Sequence, residues 1–201
     1  SAERDLAALI EWEVRQKGFE RPAFDTIVAS GPNASLPHHR AGDRRLETGD
    51  LVIIDFGGML RGYAVDMTRT TVVGSQSARQ RACLEAVDAA QRAAFDTAQI
   101  GVAPEDVDAS ARRLLGERGL ADAFVHGLGH GLGLEVHELP RLTRRRDGIA
   151  EPPLAAGMVF TLEPGVYFPG WGGVRIEDDV LATESGPEWL TELGEQVRTT
   201  R

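Results

Sequence analysis

The sequence predicts an α+β fold made of two halves, each a helical stretch followed by an antiparallel hairpin that carries two acids. Three observations predict it. Residues 51–70 run from an apolar strand ending at Asp55, through a tight turn near Leu60-Arg61-Gly62, to a return strand carrying Asp66. Residues 158–180 repeat the plan, with Glu163 on the outgoing strand, turn chemistry over 168–173 and Glu177 on the return. Helical periodicity precedes both hairpins, once before the first and twice before the second.

Taken in order, Leu6, Leu9, Ile10, Glu13 and Val14 follow a helical pattern that stops at Gly18. Residues 24–30 read as a strand and residues 31–39 as a loop, which holds His38. A polar link with Gly49-Asp50 enters the first hairpin. A turn centred between Leu60 and Arg61 sets Asp55 directly opposite Asp66; a centre one residue later leaves them diagonal, still on one face. Residues 77–99 read as a long, Ala-rich helix that contains Cys83 as a small packed side chain. Pro104 opens a further helix with Val107, Ala111, Leu114 and Leu115 in period, stopped at Gly119. Residues 124–137 alternate glycine with other residues, so the backbone there bends or approaches something closely. Arg144-Arg145-Arg146, beside Asp147-Gly148, reads as a solvated loop, as do residues 151–157. In the last third, a turn centred on Gly170 sets Glu163 and Glu177 on one hairpin face.

The bulk numbers narrow the function. A chain of 201 residues, 42% apolar and 26% charged, suits one soluble globular domain. A formal net charge of -9 argues against nucleic acid or an anionic membrane as partner, because both need a basic face. No apolar run approaches the roughly 20 residues that span a bilayer. Cys83 is the one cysteine, so no intrachain disulfide forms, which suits a reducing compartment such as the cytoplasm.

The chemistry lies in the acids and histidines. A single Asp at a strand end serves as well for turn formation. Two acids on an apolar hairpin face repel, and each buried carboxylate costs several kcal/mol unless it takes a proton or a cation. Three of the five histidines, His126, His130 and His137, flank the glycine-rich bend. The dinucleotide fingerprint Gly-x-Gly-x-x-Gly fails at every start in this stretch, and Arg141 stands where His-Glu-x-x-His needs its second histidine. No Gly-x-Ser-x-Gly is present for a serine hydrolase. Four carboxylates and one imidazole are enough for two divalent ions roughly 3.5–4 Å apart, a centre for metal-assisted hydrolysis of an amide or ester. Oxygen-rich ligation with one nitrogen suits Mn²⁺, Co²⁺ or Zn²⁺.

Ile54-Asp55-Phe56-Gly57, Asp66-Met67-Thr68-Arg69-Thr70, the run from His126 to Leu134, His137-Glu138, Leu162-Glu163-Pro164-Gly165 and Arg175-Ile176-Glu177-Asp178 occur in the order found in the pita-bread metallopeptidases. The chain resembles the catalytic domain of that family, which includes Xaa-Pro aminopeptidases, prolidases and methionine aminopeptidases. The resemblance implies the pita-bread fold, a pseudo-twofold pair of halves around a curved sheet. It implies that Asp55 chelates one metal, that Asp66 and Glu177 bridge both, and that His130 and Glu163 complete the second. It also implies attack by a metal-bridging hydroxide, with Glu163 taking a proton, His38, His126 and His137 around the substrate, and Arg175 orienting the ligands. Two divalent ions are expected, with Mn²⁺ foremost.

Residues 30–38 and 173–179 resemble the Xaa-Pro branch, whose substrate is a short peptide with proline second and whose N-terminal domain contributes to homodimer formation. Residues 1–201 are then expected to be the catalytic domain, without its first helix and without the N-terminal domain usual in that branch. The alternatives are a methionine aminopeptidase, a catalytically silent pita-bread binding module, and a metal-free member cleaving a small C–N substrate. The last two do not need all five ligands.

Overall fold

The computed structural model describes residues 1–144 and 151–191. α1 (Glu3–Gln16) packs Leu6, Ala7 and Ile10 against Val28 and Val52 and buries Val14, whereas Leu9 and Glu13 of the predicted pattern are exposed. β1 (Arg21–Pro22) and β2 (Ile27–Ser30) follow. The strand predicted over 24–30 is shortened, because the Thr26 amide donates to Glu11 of α1 instead of to a strand neighbour. Gly31–Ser35 forms a 3₁₀ turn within the predicted loop.

β3 (Leu51–Leu60) and β4 (Tyr63–Val72) make the first hairpin. Its turn is Arg61-Gly62, with φ of 53° and 83°, the left-handed pair that matches strand twist in a two-residue hairpin. Leu60 therefore faces Tyr63, Asp55 faces Thr68 and Asp66 faces Gly57. Of the two registers open in the sequence, the diagonal one is realised.

α2 (Ala78–Thr97) starts at a capping box, in which the Gln80 amide donates to Ser77 Oγ and the Ser77 amide donates to Gln80 Oε1. α3 (Pro104–Glu117) carries its proline in the first turn. Ala86, Ala90 and Ala94 of α2 and Val107, Ala111 and Leu115 of α3 are buried in the main core, with Cys83 beside them as a packed side chain.

The rest is sheet: β5 (Gly129–Gly131), β6 (Glu138–Leu142), β7 (Val159–Leu162), β8 (Gly165–Phe168), β9 (Gly172–Arg175), β10 (Asp178–Thr183) and β11 (Gly186–Trp189). The basic run Arg144-Arg145-Arg146 with Asp147-Gly148 lies, except for Arg144, outside the described residues.

β3 is the spine of one sheet, with β4 along one edge and β2 and β1 sharing the other. The second sheet has the order β11-β10-β7-β5-β6, and β8-β9 forms a separate ribbon. α2 and α3 pack on the second sheet through Leu128, Leu142, Phe160, Leu162 and Val180. Among the described residues no helix is long and apolar enough to cross a membrane.

The second hairpin corrects the sequence reading. Leu162 faces Asp178 and Gly165 faces Arg175, the register of a turn centred on Gly170. The strands are not continuous, however: each is interrupted where its acid sits. Pro164 has no N–H to give. The Glu163 amide donates to the Leu128 carbonyl (2.8 Å), and the Glu177 amide donates to the Thr68 carbonyl of β4 (3.1 Å). The Thr68–Glu177 bridge joins the two halves.

Glu3 ties the start of α1 to the loop that carries His38. Its side chain is fully buried. Oε1 accepts from the Ser30 amide (2.8 Å), Ser30 Oγ (2.7 Å) and Asn33 Nδ2 (3.0 Å); Oε2 accepts from His39 Nε2 (2.8 Å) and the Gly42 amide (3.2 Å). Burial pushes this carboxyl up, but the bonds from Ser30, His39 and Asn33 outweigh it and bring it down to about 2 from 4.5. A depressed carboxyl contributes stability above its unfolded value that is lost as pH falls through the folded one. Glu3→Gln is expected to cost roughly 1–3 kcal/mol at pH 7, since one amide cannot accept from all five donors. Urea unfolding of both proteins should show the gap narrowing as pH falls from 4.5 towards about 2; a gap independent of pH would mean that the charge of Glu3 is not what holds the loop.

Candidate metal centre

The two hairpins and β5 aim five ligand-type side chains into one cleft. Asp55 comes from β3, Asp66 from β4, His130 from β5, Glu163 from the break after β7 and Glu177 from the break before β10. The cleft encloses about 970 Å³, and His38, His126, His137 and Arg175 line it too. All nine residues singled out in the sequence thus meet in one place.

Ligand atoms of Asp66, His130 and Glu177 lie within 4.8 Å of one another. His130 Nε2 is 3.5 Å from Glu163 Oε1 and 3.8 Å from Asp66 Oδ2. Its Nδ1 donates to the Gly131 carbonyl (3.0 Å), which leaves the Nε2 lone pair facing the acids.

Arg175 is the cation buried among them. Nη2 donates to Asp55 Oδ2 (2.6 Å), Nη1 to Tyr167 Oη (2.9 Å) and to the Pro37 carbonyl (3.1 Å), and Nε to Thr68 Oγ1 (3.2 Å). Thr68 Oγ1 in turn donates to Glu177 Oε2 (2.6 Å).

One guanidinium does not balance four carboxylates. Burial, then the charges of Asp55 and Glu163, pushes Asp66 well above the usual carboxylate range. Burial, then Asp66 and Glu163, does the same to Glu177. Glu163 rises to about 8 through burial, opposed by Arg175. Burial lowers His130 to about 4, so at neutral pH it is the uncharged imidazole that a metal needs. Asp55 Oδ1 and Asp66 Oδ1 are buried and have no hydrogen-bond partner among the described residues. Unpartnered acceptor oxygens, a neutral imidazole and excess negative charge fit a hard or borderline divalent cation.

The three other histidines differ. His38 and His137 are exposed at the cleft, with the His137 ring 4.3 Å from that of His130. His126 has both ring nitrogens engaged: Nδ1 donates to the Gly127 carbonyl (2.7 Å), and Nε2 accepts from Tyr167 Oη (2.8 Å). Tyr167 and Thr68 are site residues that the sequence reading missed. Thr68 shares a strand face with Asp66, and that parity was a usable signal. Tyr167 sits beyond the break at Pro164, where alternation from Glu163 is no guide.

Metallopeptidase family M24 matches residues 1–184. The Xaa-Pro dipeptidase of Pyrococcus furiosus is 48% identical over 94% of this chain and 53% of its own length. The solved prolidase from Pyrococcus furiosus superposes with a TM-score of 0.92 at 47% identity, over 97% of this chain and 57% of that one. The X-Pro aminopeptidase from Thermotoga maritima gives 0.91 at 43% identity, over 96% and 53%. The chain spans about half the length of the curated relatives it matches.

A carboxyl raised by folding contributes stability below its unfolded value and loses it as pH rises through the folded one. The metal-free chain should therefore melt at lower temperature as pH rises from 4.5 through about 8, and Mn²⁺ should reverse the loss at pH 8. Glu177→Gln should raise the melting temperature of the metal-free chain at pH 8 and remove the response to Mn²⁺. A metal-free melting temperature that does not change across this range would sink the argument from buried repulsion.

Proposed function

The chain belongs to metallopeptidase family M24, and from that premise we propose that it hydrolyses the bond between an N-terminal residue and proline, as a dipeptidase or aminopeptidase. The observation that carries the reading is the convergence of Asp55, Asp66, His130, Glu163 and Glu177 on one cleft, with buried oxygens of Asp55 and Asp66 unpartnered among the described residues. The names of the relatives, Xaa-Pro dipeptidase and X-Pro aminopeptidase, support the substrate class. Residues 1–201 act in this reading as the catalytic domain, and the single buried cysteine supports a reducing compartment such as the cytoplasm.

The five residues would hold two divalent ions, Mn²⁺ foremost, with Co²⁺ and Zn²⁺ suited to the same donors. Bound metal supplies Lewis acidity to the scissile carbonyl and to a water molecule. The protein does the rest. Arg175 fixes one oxygen of Asp55 and leaves the other towards the centre. Thr68 fixes one oxygen of Glu177. Glu163, which lines the cleft beside His130, is the carboxylate we assign to accept the proton of the attacking water and release it again. The leaving nitrogen of proline needs a proton before it departs as an amine. His137, exposed beside His130, is the group we assign to deliver it, and His38 lines the same cleft and is assigned to the substrate.

The first test is hydrolysis by the metal-stripped chain, with Mn²⁺, Co²⁺ or Zn²⁺ returned, of an Xaa-Pro dipeptide, a longer Xaa-Pro peptide and a Met-Ala peptide. Metal-dependent cleavage before proline is expected, and the preferred length separates dipeptidase from aminopeptidase. Cleavage of the Met-Ala peptide alone would move the chain to the methionine branch. Asp66→Ala and Glu177→Ala should each lower turnover at least about 10³-fold, as loss of groups acting together in one centre does. His137→Ala should lower kcat with metal content unchanged; loss of metal instead would make His137 a ligand.

A further inference from the structure

Asp108 and Arg112 stand one turn apart on α3, both largely out of solvent. They pair through two bonds, Nε to Oδ2 (2.6 Å) and Nη2 to Oδ1 (3.0 Å). Neither lines the cleft. Their remaining capacity goes to the main chain between α3 and β5. Arg112 Nη1 donates to the Phe124 carbonyl (3.0 Å), Nη2 donates to the His126 carbonyl, and the Leu128 amide donates to Asp108 Oδ1 (3.1 Å). The guanidinium also lies over the Phe124 ring, 4.2 Å from its centroid.

A buried ion pair is weak evidence of a stabilising role, because an apolar pair of similar volume often does as well. An apolar pair could not satisfy two carbonyls and an amide. These belong to a segment outside any strand until Gly129, and its flexibility is raised by Gly127. The segment leads in two directions to the metal centre. The His126 ring is set against Tyr167 Oη, which accepts from Arg175, the partner of Asp55. The Leu128 carbonyl accepts from the Glu163 amide (2.8 Å).

We infer that the Asp108–Arg112 pair is a positioning device for the metal centre: it fixes the main chain of residues 124–128, and through it the ring of His126 and the backbone of Glu163. The consequence for turnover rests on the peptidase reading; the claim about His126 does not.

The experiment records imidazole ¹⁵N spectra of the metal-free chain, with His126 assigned by its loss in His126→Gln. Wild type should show His126 as a single tautomer with hydrogen on Nδ1. Arg112→Met should bring it into tautomer exchange, and Asp108→Asn should do so less, since its amide oxygen still accepts from Leu128. Arg92→Gln, which breaks the exposed i,i+4 pair with Asp88 on α2, is the control and should leave His126 unchanged. Arg112→Lys keeps the charge but reaches fewer carbonyls, so it should lie between wild type and Arg112→Met, and it decides the matter if the latter fails to fold. In turnover, Arg112→Met should lower kcat about tenfold or more with KM within about threefold, at unchanged Mn²⁺ content. A folded Arg112 variant with a wild-type His126 signal overturns the inference whatever its activity. A wild-type chain that cleaves no Xaa-Pro peptide overturns the peptidase reading, and the spectra still decide the role of the pair.

Discussion

Repulsion among carboxylates in a dry place is the constraint on which the rest of the structure depends. At an effective dielectric near 20, two like charges about 4 Å apart cost about 4 kcal/mol. Asp66 and Glu177 come close to that condition, with ligand atoms within 4.8 Å of each other, and Asp55 and Glu163 share the cleft with Arg175 as the buried cation. Protons partly relieve the conflict, as the raised carboxyls of Asp66, Glu163 and Glu177 show. A divalent cation in the cleft would relieve it further, and the stored repulsion would then add to its affinity.

Holding such a cluster together requires that its members come from elements unable to move apart. One acid pair belongs to each half of the fold, so the seam between halves must be rigid. The seam is built from backbone and short side chains. The Glu177 amide donates to the Thr68 carbonyl, and Thr70 Oγ1 donates to the Arg175 carbonyl (2.8 Å). Arg69 donates to the Glu177 carbonyl and pairs with buried Asp178. Gln91 reaches in from α2 to donate to the Leu162 carbonyl (3.0 Å) and to Asp178 (3.1 Å). The interruption of the second hairpin follows from this seam. Glu163 and Glu177 give up ordinary cross-strand pairing so that their amides can bond across to other segments.

That division explains what could be read from the sequence. The helices, the first hairpin and the register of the second follow from local patterns: helical periodicity, a tight turn near Leu60-Arg61-Gly62 and turn chemistry around Gly170. The site acids were legible because each hairpin places two of them on one otherwise apolar face. The breaks at Glu163 and Glu177 were not legible, since their bonding partners, Leu128 and Thr68, lie far away in sequence. The short strand β1 holds two residues and gave no pattern. β6 contains a proline at its centre, a residue that argues against a strand from sequence alone. Tyr167 was missed because its role depends on His126, which lies far away in sequence, as well as on Arg175, its diagonal neighbour across β8 and β9.

The glycines around His130 show why precision at this centre comes from remote side chains. A Cβ on Gly129 would stand 2.0 Å from the Thr161 carbonyl oxygen, and one on Gly131 would stand 2.1 Å from that of Leu139. Only glycine lets β5 slot between β6 and β7 closely enough to bring His130 to the acids. The same glycines remove the side chains that would otherwise restrict the backbone. Restraint must then come from outside the segment. Thr161 Oγ1 accepts from the His130 amide (3.2 Å), and Asp108 accepts from that of Leu128. A candidate metal ligand on a strand of three residues is held in place only if its neighbours are anchored to a helix and a sheet that are themselves fully packed. Asp108 on α3 and Thr161 on β7 meet that condition, since α3 is packed into the main core through Val107, Ala111 and Leu115 and β7 through Phe160 and Leu162.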